Sequence, residues 1–363
     1  MRMPRRLGRW SLLAVLALVA GLVLAGPAQG TFPGPNGRIA FADFGTGQIY
    51  SINPDGTGLR QLTHLAAPAV ADQPDWSPDG RRIAFFSDLS GEPRLYVMNR
   101  DGSHQRQVFS EQSGYADFTP RYMPNGGRLV FSRCSHVCAI YSVRVDGTQL
   151  RALTRFKEGL NEAVDFDPSV SPDGRRIAFV RFNAGGIQAQ VYVMRADGSA
   201  AHPITPPVLE AFAPDWTPDG RHILVASNAN RLGSAIYRIN PDGSGLKRLT
   251  RPQFPHNDIF PSSSPNGERV AFSSDRPYPD ICCLDLFLMR ADGSGLHRVS
   301  TGLVGVLEPD WGPAPRDDAA TATATIRQVA PARTGTSAAT LCARRPELRL
   351  LGRCGPPQQA FTK

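Results

Sequence analysis

The chain contains no Gly-x-Ser-x-Gly stretch, so the sharp elbow that presents a nucleophilic serine in α/β-hydrolases has no counterpart here. No cysteine follows the apolar run near the amino terminus, which argues against a lipid-modified anchor. Aromatic residues are modest in number, with 4 Trp and 18 Phe among 363 residues. Nor is there a basic block. The formal charge of +8 sits mostly at the two ends. Arg2, Arg5, Arg6 and Arg9 supply four positive charges before residue 31, and the segment from Pro313 onward carries a net of +5. Residues 31–312 are left at −1. That balance shows no clustered basic face and speaks against a nucleic-acid partner. Histidines and carboxylates do not fall into a legible metal triad, since His64 and His256 lie in loops whereas His222 and His297 lie in strands. What is abundant is Gly (35) and Pro (32), a mixture that favours many turns and short strands over long helices.

The amino terminus reads as an export signal. Basic "MRMPRRLGRW" precedes the apolar "SLLAVLALVAGLVLAG" and the small-residue "PAQG", which predicts a signal peptide over residues 1–30 cut near Gly30. An uncleaved membrane anchor is the weaker alternative, because the apolar run falls short of a full span. The expected location is secreted or periplasmic, with no membrane insertion after signal cleavage. Cysteines in such a protein are disulfide candidates. In "CSHVC" a three-residue loop between strands brings Cys134 and Cys138 within bridging reach. A small metal site using His136 is the alternative there. Cys282 and Cys283 are open: one of them pairs with Cys342 or Cys354 in the tail, or those two pair with each other.

The main signal is a repeat. "SPDGRRIAF" occurs at Ser77–Phe85 and again at Ser171–Phe179, with drifted copies from Gly34, Met123, Thr217 and Ser264. Its turn glycines, Gly37, Gly80, Gly126, Gly174, Gly220 and Gly267, stand 43, 46, 48, 46 and 47 residues apart. A second motif alternates with it, as in "IYSINPDGTGLRQLT" and "IYRINPDGSGLKRLT". In Ser-Pro-Asp-Gly, proline presets φ for a type I turn and the glycine accepts positive φ, a common join between antiparallel strands. One unit therefore codes four antiparallel strands, the size of a propeller blade. The fold class is all-β: a six-bladed β-propeller of four-stranded antiparallel blades spanning residues 31–315.

Strand counting predicts how the ring closes. Strands of the Trp76 type end at Trp76, Tyr122, Val170, Trp216, Ser263 and Trp311, but the first unit lacks one and the last has no blade after it. The C-terminal strand around Glu308–Trp311 should pair into the first blade and remove two open edges. After it, residues 316–363 are low in bulky apolar residues and read as a flexible Ala/Thr/Arg-rich extension with two Cys.

With its six "W-S-P-D-G"-type units over about residues 33–312, the chain resembles the TolB-like propeller family. The resemblance implies an extracytoplasmic six-bladed propeller that binds envelope proteins and does not catalyse a reaction. TolB carries an α/β domain before its propeller, whereas only some two residues separate the signal from the first blade here. Membership in the Tol–Pal system does not follow from the repeat.

Function is expected on the loops opposite the tight turns. Carboxylates recur before the innermost strands, at Asp72, Asp117, Asp165, Glu210, Asp258 and Glu308. They either ring the channel mouth or accept hydrogen bonds from loop amides, and the second reading is favoured. Loop aromatics Tyr115 and Tyr278 are further binding candidates. The leading expectation is an exported, monomeric, non-catalytic interaction module for an envelope or extracellular protein, with no cofactor. The rivals are a metal-dependent lyase or lactonase-like hydrolase holding a divalent cation in the channel, and a carbohydrate-binding envelope protein.

Overall fold

Each Ser-Pro-Asp-Gly turn closes as its residue types dictate. In the computed structural model Gly80 N donates to Ser77 O at 2.9 Å, and Asp79 Oδ1 accepts from Ser77 Oγ at 2.6 Å and Arg81 N at 3.1 Å. The turn at Ser171 repeats this, with Gly174 N to Ser171 O at 2.8 Å and Gly174 at φ 65°. Gly80, Gly126, Gly220 and Gly267 share the positive φ, but Gly37 does not. No chain connection precedes Gly37 within its blade, so it has no turn to close. It lies instead within the strand Asn36–Asp43, where a side chain would collide with the Pro313 backbone.

The structure describes residues 32–315 except 110–113, 156–162, 184–187, 230–232, 279–282 and 304. The signal segment, the C-terminal extension, Cys282, Cys342 and Cys354 lie outside the described residues. Six four-stranded antiparallel sheets follow one another around an axis. From the axis outward, the second blade has strands Ala71–Trp76, Arg82–Ser87, Arg94–Asn99 and Arg106–Gln107. The third to sixth blades begin with innermost strands Ala116–Tyr122, Val164–Val170, Ala211–Trp216 and Asp258–Ser263. In the first blade the innermost strand is C-terminal: Val306–Pro313 pairs antiparallel with Asn36–Asp43, placing Trp311 opposite Ile39 and Asp310 opposite Ala40. The ring closes as the strand count requires.

Burial explains why closure matters. Trp76, Trp216 and Trp311 are all buried, each in a cluster that joins two blades. Trp311 packs with Ile39 and Phe41 of its own blade and with Ala271 and Leu288 of the sixth. Trp76 packs with Ala40 and Ile49 of the first blade, and Trp216 with Ala178 and Val193 of the fourth. An indole buries roughly 150–250 Å², so each of these three contributes a large share of the apolar area at its joint. The hairpin Arg128–Cys134 to Cys138–Arg144 aligns Cys134 opposite Cys138, and the two are joined in a disulfide.

Candidate functional site

The innermost strands share one irregularity that shapes the channel. In each, the residue before a central proline takes positive φ: Gln73 (55°), Thr119 (48°), Asp167 (53°), Ala213 (49°), Phe260 (53°) and Glu308 (47°). Left-handed backbone is costly for residues with a Cβ, so its recurrence in six blades marks a built bulge. The register against the second strand slips at each one, as between Asp72 and Asp75 or between Phe118 and Arg121.

Two residues after each bulge comes a second ring: Asp75, Arg121, Ser169, Asp215, Ser262 and Asp310. Its members tie neighbouring blades together. Asp75 Oδ2 accepts from Tyr122 N at 2.6 Å, Asp215 Oδ2 from Ser263 N at 2.8 Å, and Asp310 Oδ2 from Trp76 N at 2.7 Å. Ser169 Oγ accepts from Trp216 N at 3.2 Å and Ser262 Oγ from Trp311 N at 3.0 Å. Arg121 breaks the pattern, since a guanidinium cannot accept. It faces Asp167 at 3.5 Å and Asp75 at 4.0 Å.

The channel is therefore acidic and poorly solvated. Burial pushes Asp215 up to about 7 and Asp167 up to about 6, the latter against the pull of Arg121. Burial and then the charge of Asp310 hold Asp75 well above the usual carboxylate range, and burial raises Asp310 as well. Asp75 and Asp167 beside Arg121 outweigh its burial and keep its pKa raised. Along the axis run two narrow voids of about 30 Å³ each, the scale of a water molecule. Phe260, Pro261 and Pro309 line one, and Phe32 and Pro313 the other.

Of the six acids marked from the sequence, one reaches this channel. Glu308 lies at the bulge position and accepts from Gln73 Nε2 at 3.3 Å. Asp117 and Asp165 turn into their own blades, where each meets the arginine opposite it on the second strand. Arg133 Nε and Nη2 donate to Asp117 at 2.7 and 3.1 Å. Arg181 Nε and Nη2 donate to Asp165 at 2.6 and 2.7 Å. Asp258 accepts from Arg276 Nε and Ser274 Oγ, both at 2.8 Å. Asp72 accepts from the amide of Gln73 at 2.7 Å, and Glu210 ends the 3₁₀ turn Pro207–Leu209. Tyr115 stacks 5.0 Å from the Arg133 guanidinium, and Tyr278 lies 5.9 Å from that of Arg298. Burial, followed by the nearby Asp285, pushes the Tyr278 hydroxyl up to about 12. His256 sits 3.5 Å from Asp275. Among the described residues no group of three or more His, Cys, Asp or Glu is arranged to hold a metal ion.

The channel residues that sequence reasoning missed carry a signal nonetheless. They are the x and z of the frame x-Pro-z-Trp in "QPDW", "APDW" and "EPDW", read as "TPRY", "DPSV" and "FPSS" elsewhere. The marked acids fall between one and four residues before that proline, so they were not equivalent to one another.

A closed ring of six antiparallel blades, with a bulged and proline-centred innermost strand in each, defines the protein as a six-bladed β-propeller. A model of the TolB beta propeller domain matches residues 33–163 and 103–315, and the chain belongs to that family. It is 33% identical over 147 residues to a protein TolB homolog from Chlorobium luteolum, covering 40% of this chain and 31% of that protein. The match thus spans about a third of that relative's length. An uncharacterised protein of Agrobacterium fabrum is 27% identical over 262 residues, covering 68% of this chain and 82% of its own. Among solved structures, TolB from Acinetobacter baumannii superposes with a TM-score of 0.62 at 19% identity, over 83% of this chain and 70% of its own. A putative TolB from Agrobacterium tumefaciens gives 0.59 at 22% identity, over 76% of this chain and 98% of its own. These likenesses establish the fold.

Proposed function

We propose that the protein is an exported, non-catalytic interaction module whose loop face, around the channel mouth, receives a protein partner. The observation that carries the reading is the state of the channel. Its ring residues are engaged in holding neighbouring blades, and its voids admit little more than water. A substrate chain has no room there, so recognition falls to the loops above. On that face Val208 and Phe254, in neighbouring inter-blade loops, are 73% and 67% exposed. Apolar side chains displayed on a rigid scaffold are the usual anchors of a protein interface. The Cys134–Cys138 disulfide supports an oxidising compartment such as the periplasm or the exterior.

The test is cross-linking in the native envelope with the wild type and with a Val208→Asp, Phe254→Asp variant. A partner captured by the first and lost from the second, at unchanged melting temperature, supports the reading. A divalent ion retained through dialysis and lost in Asp167→Asn or Asp215→Asn would replace it with the metal-dependent enzyme.

A further inference from the structure

The near-zero charge of the propeller conceals a separation that only the fold produces. Two kinds of turn lie on one face: those joining first to second strands, and those joining third to fourth. The eleven such turns, among them residues 77–82 and 99–106, together with residues 32–38 at the start of the first blade, hold sixteen Arg and Lys against ten Asp and Glu. The other described residues hold ten basic against fifteen acidic. One face of the disc is thus net positive, and the rest, channel included, is net negative. The reason is in the repeat. Most of these turns carry a single aspartate, held by the amide two residues on, as Asp173 is by Arg175 N at 3.0 Å and Asp292 by Ser294 N at 2.8 Å, beside one or two bases. The neighbouring Arg81, Arg175, Arg221 and Lys247 side chains are exposed.

Two further observations concern the same face. Leu59, Leu150, Leu246 and Leu296, at one position of the repeat in four blades, are 37–41% exposed there. Both ends of the propeller chain also leave from it. Phe32 and Pro313 line the turn-side end of the channel beside Trp76 and Tyr122. Gly34 N donates to Pro265 O in the turn of the last blade, and Ala314 N to Pro35 O. Residues 316–363, with eight basic and three acidic side chains, continue the chain from this face beyond Pro315.

We infer that the turn face is a docking surface for an anionic lipid membrane, which it meets flat, with the loop face turned away. Bases spread over six blades, with a cavity of about 520 Å³ confined to the joint of the third and fourth beside Arg128, Leu150 and Arg151, suit many headgroups in a plane better than one linear polyanion. Partly exposed leucines among arginines suit the boundary between headgroups and acyl chains. Each basic side chain near such a surface contributes a similar increment, and salt screens it. This inference is independent of the partner-binding role of the loop face.

The experiment is co-sedimentation of the full chain with vesicles of phosphatidylcholine alone, or with about 30% phosphatidylglycerol added. Arg175→Glu, Arg221→Glu and Lys247→Glu are combined in one variant. Arg155→Glu with Arg251→Glu, on the opposite face, serves as the control. The increment in binding caused by phosphatidylglycerol cancels whatever the apolar N-terminal sequence contributes to both vesicle types. That increment is expected to fall about tenfold or more in the turn-face variant, at unchanged circular dichroism, and to persist in the control. It should also fade as salt rises towards about 0.5 M. Equal increments in wild type and turn-face variant would overturn the inference. So would tighter binding to a DNA duplex than to the anionic vesicles.

Discussion

Gly312 lies directly beneath the indole of Trp76, so close that a Cβ on the glycine would fall inside the van der Waals envelope of the ring. The two residues are far apart in sequence, yet Trp76 N also donates to Asp310 at 2.7 Å, so ring and amide both read the closing strand. Gly312→Ala should therefore overpack the joint between first and second blades. We expect a loss of about 1–3 kcal/mol, measured by urea unfolding. An unchanged midpoint would mean that the indole swings aside without cost.

Closure itself is testable by truncation. A chain ending at Ser300 lacks Val306–Pro313, leaves Asn36–Asp43 without its inner partner and strips Trp311 from the cluster it shares with Ala271 and Leu288. It should aggregate, or melt far below the full chain, because two sheet edges and their apolar flanks are opened. A chain ending at Pro315 keeps every described strand and should melt as the full chain does. If the shorter protein stays monomeric and unfolds with the same cooperativity, the closing strand is dispensable.

The channel acids impose a pH dependence of definite sign. Asp215 has its folded pKa raised to about 7 from 3.8, so between those values the folded state holds a proton that the unfolded state has released. Its contribution is complete below about pH 4 and is lost as pH rises through about 7. Asp215→Asn keeps an amide oxygen for Ser263 N and removes the titration. At pH 8 the variant should be more stable than the wild type by roughly 4 kcal/mol, about 1.4 kcal/mol for each pH unit between the two pKa values, and at pH 4 the two should converge. Thermal melts across pH 4–9 check this, and parallel curves would show that Asp215 is ionised freely in the fold.

Arg133 and Asp117 form a buried pair whose members depend on one another. Arg133→Met leaves the fully buried Asp117 carboxylate without its bidentate donor and should cost about 3–5 kcal/mol. Replacing both, with Asp117→Leu added, should recover most of the loss. A single variant as stable as the wild type would show that Arg94, whose charge also acts on Asp117, compensates alone.

The turns and their glycines apart from Gly37, the four strands of each blade, the closing role of the Trp311 segment and the Cys134–Cys138 bridge were legible in the sequence. Each depends on a few neighbouring residues, or on a count that must come out even. A Pro-Asp-Gly turn closes through its own amides, and a three-residue loop leaves two cysteines facing each other whatever surrounds them. The destination of each carboxylate depended on the tertiary structure. Asp165 and Asp167 are two residues apart, yet one meets Arg181 inside the blade and the other faces Arg121 across the channel. The bulge at Asp167 shifts the register between them, and its consequence appears only when six blades bring their inner strands to one axis. Charge separation has the same origin. A sequence sum of −1 adds Arg175 to Asp215 as if they were neighbours, whereas folding sends one to the turn face and the other into the channel. Local chemistry fixes a turn, but which side chains share a dielectric environment is decided by the ring.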